Sequence, residues 1–93
     1  MEFRWIDWNT DKVVDHGVTP EEAQGVVDGA VDPYPQHRED GKFLVWGGTT
    51  AGRLLQVVFL LDEEDRVFII HARPLTEREK RRRRRQRRRK GPS

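Results

Sequence analysis

The sequence predicts an α+β domain with two short N-terminal helices, a mainly antiparallel sheet of three to four strands, and a C-terminal helix that continues into a basic tail. Two capping boxes, Thr19 with Glu22 and Thr76 with Glu79, mark helix starts in the first and last parts of the chain. Between these starts lie three runs rich in β-branched and aromatic residues, separated by short loops. That spacing is typical of an antiparallel meander.

The first helix is predicted close to the N-terminus. It is expected to be capped by Asn9 or Thr10 and to end at His16, because Gly17 can supply the left-handed stop. Residues 3–6 alternate in hydropathy, which predicts either a first strand or a hydrophobic lead-in to this helix.

The second helix is predicted to start at the Thr19 cap, with Pro20 in the first helical position, and to end at Gly29. Its apolar residues recur at the spacing of one helix face and form a narrow stripe. The stripe consists of Ala23, Val26, Val27 and Ala30. A weaker hypothesis for function is a protein-interaction adaptor that uses this stripe at Ala23, Val26 and Val27.

The middle of the chain predicts a loop and then the meander. Residues 32–41 contain two prolines, several charges and no periodicity, which predicts a mobile loop. Pro74 lacks an N–H group, so the last strand is expected to stop near Arg73. The predicted strands cover residues 42–47, 53–61 and 66–73.

A four-residue loop between the last two strands would set their register. Leu61 would then lie opposite Arg66, and Gln56 would lie opposite His71. Alternate residues of a strand share a face, so this register divides the last strand into two sets. One set is all apolar and consists of Phe68, Ile70 and Ala72, packed with Leu55, Val57 and Phe59. The other set consists of Val67, Ile69, His71 and Arg73.

Charge is distributed unevenly along the chain. Residues 1–79, expected to form one domain, carry a net charge of −8, whereas the segment from Lys80 to Lys90 adds +10. Like charges repel along a helix, so order is expected to fade beyond about Arg83, and residues 80–93 are expected to be partly helical and then disordered. Such a polycation suits nucleic acid. The predicted nucleic-acid-binding residues are Arg81, Arg82, Arg83, Arg84, Arg85, Arg87, Arg88 and Arg89.

This basic tail has three interpretations. The tail would deliver RNA to the end of the last predicted strand, near Arg73 and Arg78. Alternatively, it would dock against the acidic body or bind an acidic segment of a partner protein. No aromatic residue separates the arginines, so the tail itself offers no stacking platform. Attraction to the phosphate backbone is therefore its default mode of binding.

Composition argues against several classes of function. The chain has no cysteine, and its three histidines have no ligand spacing, so neither a metal nor another cofactor is predicted. The acidic run over residues 62–65 lacks the spacing of a calcium loop and predicts a solvated hairpin tip. No apolar run approaches the ~20 residues that span a bilayer, and residues 1–11 lack a signal-peptide core. We therefore expect a soluble cytoplasmic protein with no membrane partner.

Two motifs and their order resemble the BrnT-type toxin family over roughly residues 3–80. The segment from His16 to Ala23 is similar to the family pattern HGV(S/T)xEEA, and the segment from Ala72 to Glu79 is similar to AR followed by (S/T)xxER. A Gly-rich turn that ends in Gly52-Arg53 lies between them. The chain departs from the family at Asp15, where a lysine is common, and in having no tyrosine after the last Glu-Arg pair.

The resemblance implies a small toxin of a type II toxin–antitoxin pair with a RelE-like ribonuclease fold. It implies a metal-independent endoribonuclease that cleaves RNA and inhibits growth, with a ribbon-helix-helix antitoxin as its partner. The alternative is a non-catalytic nucleic-acid-binding or partner-binding module that kept the fold. The two departures favour that alternative, and the acidic body is unfavourable for holding RNA.

Cleavage of RNA without a metal needs groups that transfer protons and groups that hold phosphate. Histidine transfers protons near neutral pH, and arginine binds phosphate oxygens in pairs. The predicted catalytic residues are His71 for proton transfer, Arg53, Arg73 and Arg78 as phosphate clamps, and His16 as a second acid or base. Arg53 owes its place in this set to the Gly-Arg match with the family.

The histidines also have structural interpretations. His16 would interact with the last carbonyl groups of the first helix. His71 would be a half-buried strand residue that pairs with Gln56, and His37 is interpreted as a surface residue of the loop.

The arginines have structural interpretations as well. Arg73 and Arg78 would pair with Glu77, Glu79 or acidic loops, which contributes little at a surface. Arg53 would be a plain residue at the edge of a strand.

Overall fold

The fold combines three helices with a four-stranded antiparallel sheet, which confirms the predicted α+β class. The computed structural model describes residues 1–89, and the strands follow the order β1-β2-β3-β4 in the sheet. Along the chain the elements are α1 (Asp7–Val14), α2 (Pro20–Asp28), β1 (Gln36–His37), a 3₁₀ turn (Glu39–Gly41), β2 (Phe43–Gly48), β3 (Leu54–Leu61), β4 (Val67–Pro74) and α3 (Glu77–Arg89).

Helices α1 and α2 pack against the sheet, and the core lies between these helices and the strands. The apolar stripe of α2 belongs to this core, because Ala23, Val26 and Val27 are at most 5% exposed. Burial of a valine side chain stabilises a fold by roughly 1.5–3 kcal/mol. The alternative in which this stripe binds a partner protein is therefore wrong.

Both predicted capping boxes are present. The Glu22 N–H donates to Thr19 Oγ1 and the Thr19 N–H donates to Glu22 Oε1, both at 3.0 Å. In the same way, the Glu79 N–H donates to Thr76 Oγ1 at 3.1 Å and the Thr76 N–H donates to Glu79 Oε1 at 2.9 Å. These reciprocal bonds satisfy N–H groups that the first turns of α2 and α3 leave unpaired, so both helices start where the sequence predicts.

Helix α1 begins earlier than predicted. Ile6 is its N-cap residue, and Asn9 lies inside the first turn, where its Oδ1 accepts the Ile6 N–H at 2.8 Å. Asn9 is fully buried, and its Nδ2 also donates to the Arg4 carbonyl at 3.1 Å. The predicted cap at Asn9 or Thr10 is wrong because the Asn9 side chain satisfies the backbone behind it. The turn after α1 has the predicted left-handed glycine, Gly17, with φ of 73°.

The segment before α1 forms an isolated bridge. The Arg4 N–H donates to the Val67 carbonyl, and the Val67 N–H donates to the Glu2 carbonyl, each at 2.8 Å. Phe3 thereby pairs in parallel with the first residue of β4. Of the two predictions for residues 3–6, the lead-in describes the segment better than a full strand.

The segment over residues 32–41 is more regular than predicted. Its strand β1 pairs with β2 through Gln36 opposite Leu44 and His37 opposite Phe43. The His37 ring is exposed and stacks on Phe43, with ring centroids 5.0 Å apart. Two residues are too few to show the alternation on which strand prediction depends.

The register between β3 and β4 differs from the predicted one. Leu61 lies opposite Val67, one residue beyond its predicted partner. His71 lies opposite Val58, so its predicted pairing with Gln56 is wrong.

A β-bulge at Ile70 accounts for the change of faces in β4. Val58 pairs with His71 and Phe59 pairs with Ile69, which leaves Ile70 without a partner across the strands. An extra residue shifts the alternation of side chains by one. The predicted faces are therefore wrong for the part of β4 before the bulge. The buried residues of the two strands are Val67, Ile69 and Ala72 with Leu55, Val57 and Phe59.

Helix α3 extends further than predicted. Its backbone is helical from Glu77 to Arg89, past the point near Arg83 where charge repulsion was expected to end the order. The Tyr34 hydroxyl donates to Gln86 Oε1 at 2.7 Å, and this contact holds the helix beyond that point. The end of the predicted disordered extension, residues 90–93, lies outside the described residues. No helix within residues 1–89 has the length and apolar content required to cross a membrane.

Candidate active site

Two histidines predicted as site residues contact each other. The rings of His16 and His71 meet edge to face, with centroids 5.4 Å apart and an interplanar angle of 63°. His16 is exposed and follows the last turn of α1, where its N–H donates to the Val13 carbonyl at 3.1 Å. His71 lies within β4, opposite Val58 of β3. Sequence reasoning selected both residues but did not predict the contact between them.

The surroundings of His71 favour its neutral form. The side chain is partly buried, and this burial lowers the pKa of His71 below its usual value. The positive charges of His16 and Arg73 lower the pKa further. A neutral imidazole has one ring nitrogen free to accept a proton, which is the property required of a general base near neutral pH.

Arg73 lies two residues further along β4 and is paired with a carboxylate. Its Nη1 and Nη2 donate to the two carboxylate oxygens of Glu79 at 2.7 and 2.8 Å. The Arg73 hydrogen bonds are the main cause that lowers the pKa of Glu79 to about 2, and the Glu79 hydrogen bond raises the pKa of Arg73. The guanidinium predicted as a phosphate clamp is thus held by Glu79, as its structural interpretation proposed.

A short polar chain continues from Arg73 across the sheet. Gln56 lies opposite Arg73, and its Oε1 accepts from Arg73 Nη2 at 3.4 Å and from Trp46 Nε1 at 3.1 Å. The Tyr34 ring lies 6.2 Å from the Trp46 ring, which leads to the contact between Tyr34 and α3. Burial raises the pKa of Tyr34, so its hydroxyl stays protonated and donates to Gln86.

Arg53 directly precedes β3 and is also paired with a carboxylate. Its Nη1 donates to the Glu22 carboxylate at 3.2 Å and to the Gly17 carbonyl at 3.1 Å. Gly17 follows His16 directly, so Arg53 connects the turn that carries His16 to the start of α2. The Arg53 guanidinium is therefore held by a carboxylate and by the turn that follows His16.

Arg78 is an exposed residue in the first turn of α3. It lines an open groove of about 580 Å³ together with Thr76, Glu79, Arg82 and Arg85. Among the predicted phosphate clamps it is the one that forms no ion pair within residues 1–89.

The predicted nucleic-acid-binding arginines occupy different faces of α3. Arg81, Arg82, Arg84 and Arg85 are exposed, whereas Arg83 is partly buried beside Tyr34 and Trp46. For the three residues that follow Gln86 the structure describes the helical backbone but not the side chains. These three are Arg87, Arg88 and Arg89.

Sequence reasoning missed Gln86 and Tyr34 as contact residues. Glu79 and Gln86 are seven residues apart, which places them on one helix face, and each accepts a hydrogen bond from the body. Gln86 is the one uncharged residue between Lys80 and Lys90. This interruption of the arginine tract is the signal in the sequence that could identify the face of α3 that packs against the body.

The acidic run over residues 62–65 forms the hairpin tip predicted for it. Asp62 Oδ1 accepts the N–H groups of Glu64 and Arg66 at 2.9 Å, and these bonds close the turn. Within residues 1–89, no three His, Asp or Glu side chains are grouped in a way that would hold a metal ion.

No protein-family model matches the chain, and comparison with curated proteins and with solved structures gave no match either. The likeness to BrnT-type toxins therefore depends on the two motifs described above.

Proposed function

We propose that the protein is a toxin-like, metal-independent endoribonuclease that uses His16 and His71 for proton transfer and helix α3 for holding RNA. The observation that carries this proposal is the contact between the two imidazole rings, 5.4 Å apart. Two adjacent imidazoles, one of them favoured in its neutral form, supply a base and an acid at one place.

The proposed reaction is the attack of a ribose 2′-oxygen on the neighbouring phosphorus. Neutral His71 takes the proton of the 2′-hydroxyl as the new P–O bond forms. His16 in its protonated form gives a proton to the 5′-oxygen as the old P–O bond breaks. The products are a 2′,3′-cyclic phosphate and a free 5′-hydroxyl, and the two histidines end in exchanged protonation states that solvent restores.

Charge distribution supports the role of α3. Residues 1–79 carry a net charge of −8 and would repel RNA, whereas the basic helix attracts it. The ion pair between Arg73 and Glu79 links the start of α3 to the strand that carries His71. An RNA chain bound along α3 is thus brought close to the two histidines.

Growth inhibition and a ribbon-helix-helix antitoxin partner are also part of the proposal. They rest on the motifs from His16 to Ala23 and from Ala72 to Glu79. Induced expression in a bacterial host tests the first: we expect growth arrest from the full chain and no arrest from the His16→Asn/His71→Asn double variant.

A second candidate function is a non-catalytic RNA-binding module. The observation that favours it is the pairing of Arg73 with Glu79 and of Arg53 with Glu22, because two of the three predicted phosphate clamps are already neutralised. In this function α3 binds RNA and the two histidines only pack.

Incubation of the full-length protein with 5′-labelled single-stranded RNA separates the two functions. We expect fragments that end in a 2′,3′-cyclic phosphate, and none from a fully 2′-O-methylated RNA of the same sequence, because that RNA has no attacking hydroxyl. His71→Asn is expected to slow cleavage at least ~100-fold. His37→Asn, a change at an exposed histidine away from the pair, serves as the control and keeps the rate. Binding without cleavage by the unaltered protein would favour the second candidate.

A further inference from the structure

Helix α3 has one face that is fixed against the body. Glu79, Arg83 and Gln86 recur at the spacing of one helix face and are partly buried. Glu79 accepts from Arg73 and Gln86 accepts from Tyr34. At ~1.5 Å per residue these two contacts are about 10 Å apart along the axis. Two contacts at this separation fix the rotation of the helix about its own axis.

A row of three arginines lies next to this docked face. Arg78, Arg82 and Arg85 follow the same i, i+4, i+7 spacing and are exposed. They share the open groove that Thr76 and Glu79 also line. None of the three pairs with a carboxylate within the described part of the chain. The row therefore presents three unneutralised guanidinium groups along one line.

We propose that Arg78, Arg82 and Arg85 bind successive phosphates of one single-stranded RNA segment. This inference rests on the proposed function, because it takes RNA as the ligand and the two histidines as the end of its path. Arg78 is nearest to the end of β4, which carries His71, and Arg85 is furthest from it. The RNA segment thus runs along α3, and its path leads from the N-terminal end of the helix to the imidazole pair.

The chemistry of the row matches a phosphate backbone. A guanidinium group donates two parallel N–H bonds and binds phosphate oxygens in pairs. Along the axis the row residues are spaced by ~6 and ~4.5 Å, from the ~1.5 Å rise per residue. Among the described residues that line the groove, Glu79 is the acidic one, and both of its carboxylate oxygens accept from Arg73, so its charge is compensated. In-line attack by a 2′-hydroxyl needs a strand that is free to leave duplex geometry, which favours an unpaired segment.

A pair of matched double variants tests the row. Arg82→Gln/Arg85→Gln removes two charges from it, and Arg81→Gln/Arg84→Gln removes two exposed charges from the neighbouring face with the same three-residue spacing. Glutamine is about as good a helix former as arginine, and circular dichroism checks that α3 is kept. Binding of a fully 2′-O-methylated oligouridine, which cannot be cleaved, is measured over a series of salt concentrations.

We expect the plot of log affinity against log salt to become shallower by about 1.4 for the row variant, since each phosphate contact to a single strand contributes ~0.7. The neighbouring-face variant is expected to change this slope by less than half as much. Equal decreases of this slope in the two variants would overturn the proposal that the row binds phosphates, because binding would then depend only on total charge.

A competition experiment identifies the class of ligand. We expect unlabelled oligouridine to displace the labelled oligomer at far lower concentration than polyglutamate of equal charge. Equal competition by polyglutamate would overturn RNA as the occupant in favour of an acidic protein segment. Failure of the unaltered protein to bind RNA would overturn both proposals, whereas selective binding along the row without cleavage would remove only the ribonuclease.

Discussion

The imidazole rings of His16 and His71 contact each other edge to face, although one residue follows the first helix and the other lies within the last strand. Their contact depends on how α1 packs against β4. The His71 ring experiences the charge of His16, and this electrostatic effect can be measured directly.

Titration of the His71 ring by NMR should give a pKa below the usual value of about 6.5. Burial is the main cause, and the charge of His16 adds to it. His16→Asn removes that charge, so the pKa of His71 should rise in this variant. The matched control, His37→Asn, should leave it unchanged. An unchanged His71 pKa in the His16→Asn variant would show that the two rings do not interact in solution.

The lowered pKa of His71 also predicts how stability depends on pH. The unfolded chain binds more protons than the folded chain between the lowered pKa and about 6.5. The free energy of unfolding should therefore decrease as the pH falls below about 6.5. Urea denaturation of the full chain and of His71→Asn over this range should show a smaller decrease in the variant.

The ion pair between Arg73 and Glu79 predicts a second effect on stability. Glu79→Gln keeps an oxygen for the capping box but removes the charge, so we expect a loss of roughly 1–3 kcal/mol in the free energy of unfolding at neutral pH. Because the folded pKa of Glu79 is about 2 and its usual value is 4.5, this contribution is lost as the pH falls from about 4.5 towards 2. Denaturation of both proteins at several pH values measures it.

Glu77→Gln is the matched control for this measurement. Glu77 is 78% exposed and, among the described residues, pairs with Lys80 alone, so the free energy of unfolding should change by no more than about 0.5 kcal/mol. A change as large as that of Glu79→Gln would mean that α3 responds to net charge and not to the Arg73 contact.

The hydrogen bond from Tyr34 to Gln86 predicts the local stability of α3. Gln86→Ala and Tyr34→Phe each remove this bond, which contributes about 1 kcal/mol, so amide exchange in the second half of α3 should become about fivefold faster. The double variant should add little to either single variant. Arg84→Ala, on the exposed face of the same helix, should have a smaller effect. Additive effects of the two changes would contradict the contact.

Much of the fold can be predicted because its signals are local. The capping boxes at Thr19 and Thr76 start α2 and α3 as expected, and β2, β3 and β4 differ from their predicted bounds by one residue. The stop at Gly17 is equally local, since only a left-handed conformation is required there. Each of these features depends on a few neighbouring residues.

The wrong predictions concern features that are determined by contacts between residues far apart in the sequence. No glycine or proline marks the bulge at Ile70, so the alternation in β4 predicts the wrong face for Phe68 and Val67. Helix propensity and the repulsion between arginines do not reveal that the Tyr34 hydroxyl bonds to Gln86 and holds α3 in place. For the same reason the sequence names Glu79 among the possible partners of Arg73 but does not reveal that Arg53 pairs with Glu22.

The most direct test of the proposed ribonuclease is a double-mutant cycle on cleavage rate with His16→Asn and His71→Asn. If the two imidazoles act as one acid–base unit, each single variant should lose at least ~100-fold in kcat/KM. The double variant should then lose much less than the product of the two single losses. Wild-type cleavage by His16→Asn, or losses that multiply, would contradict an acid–base pair at this site.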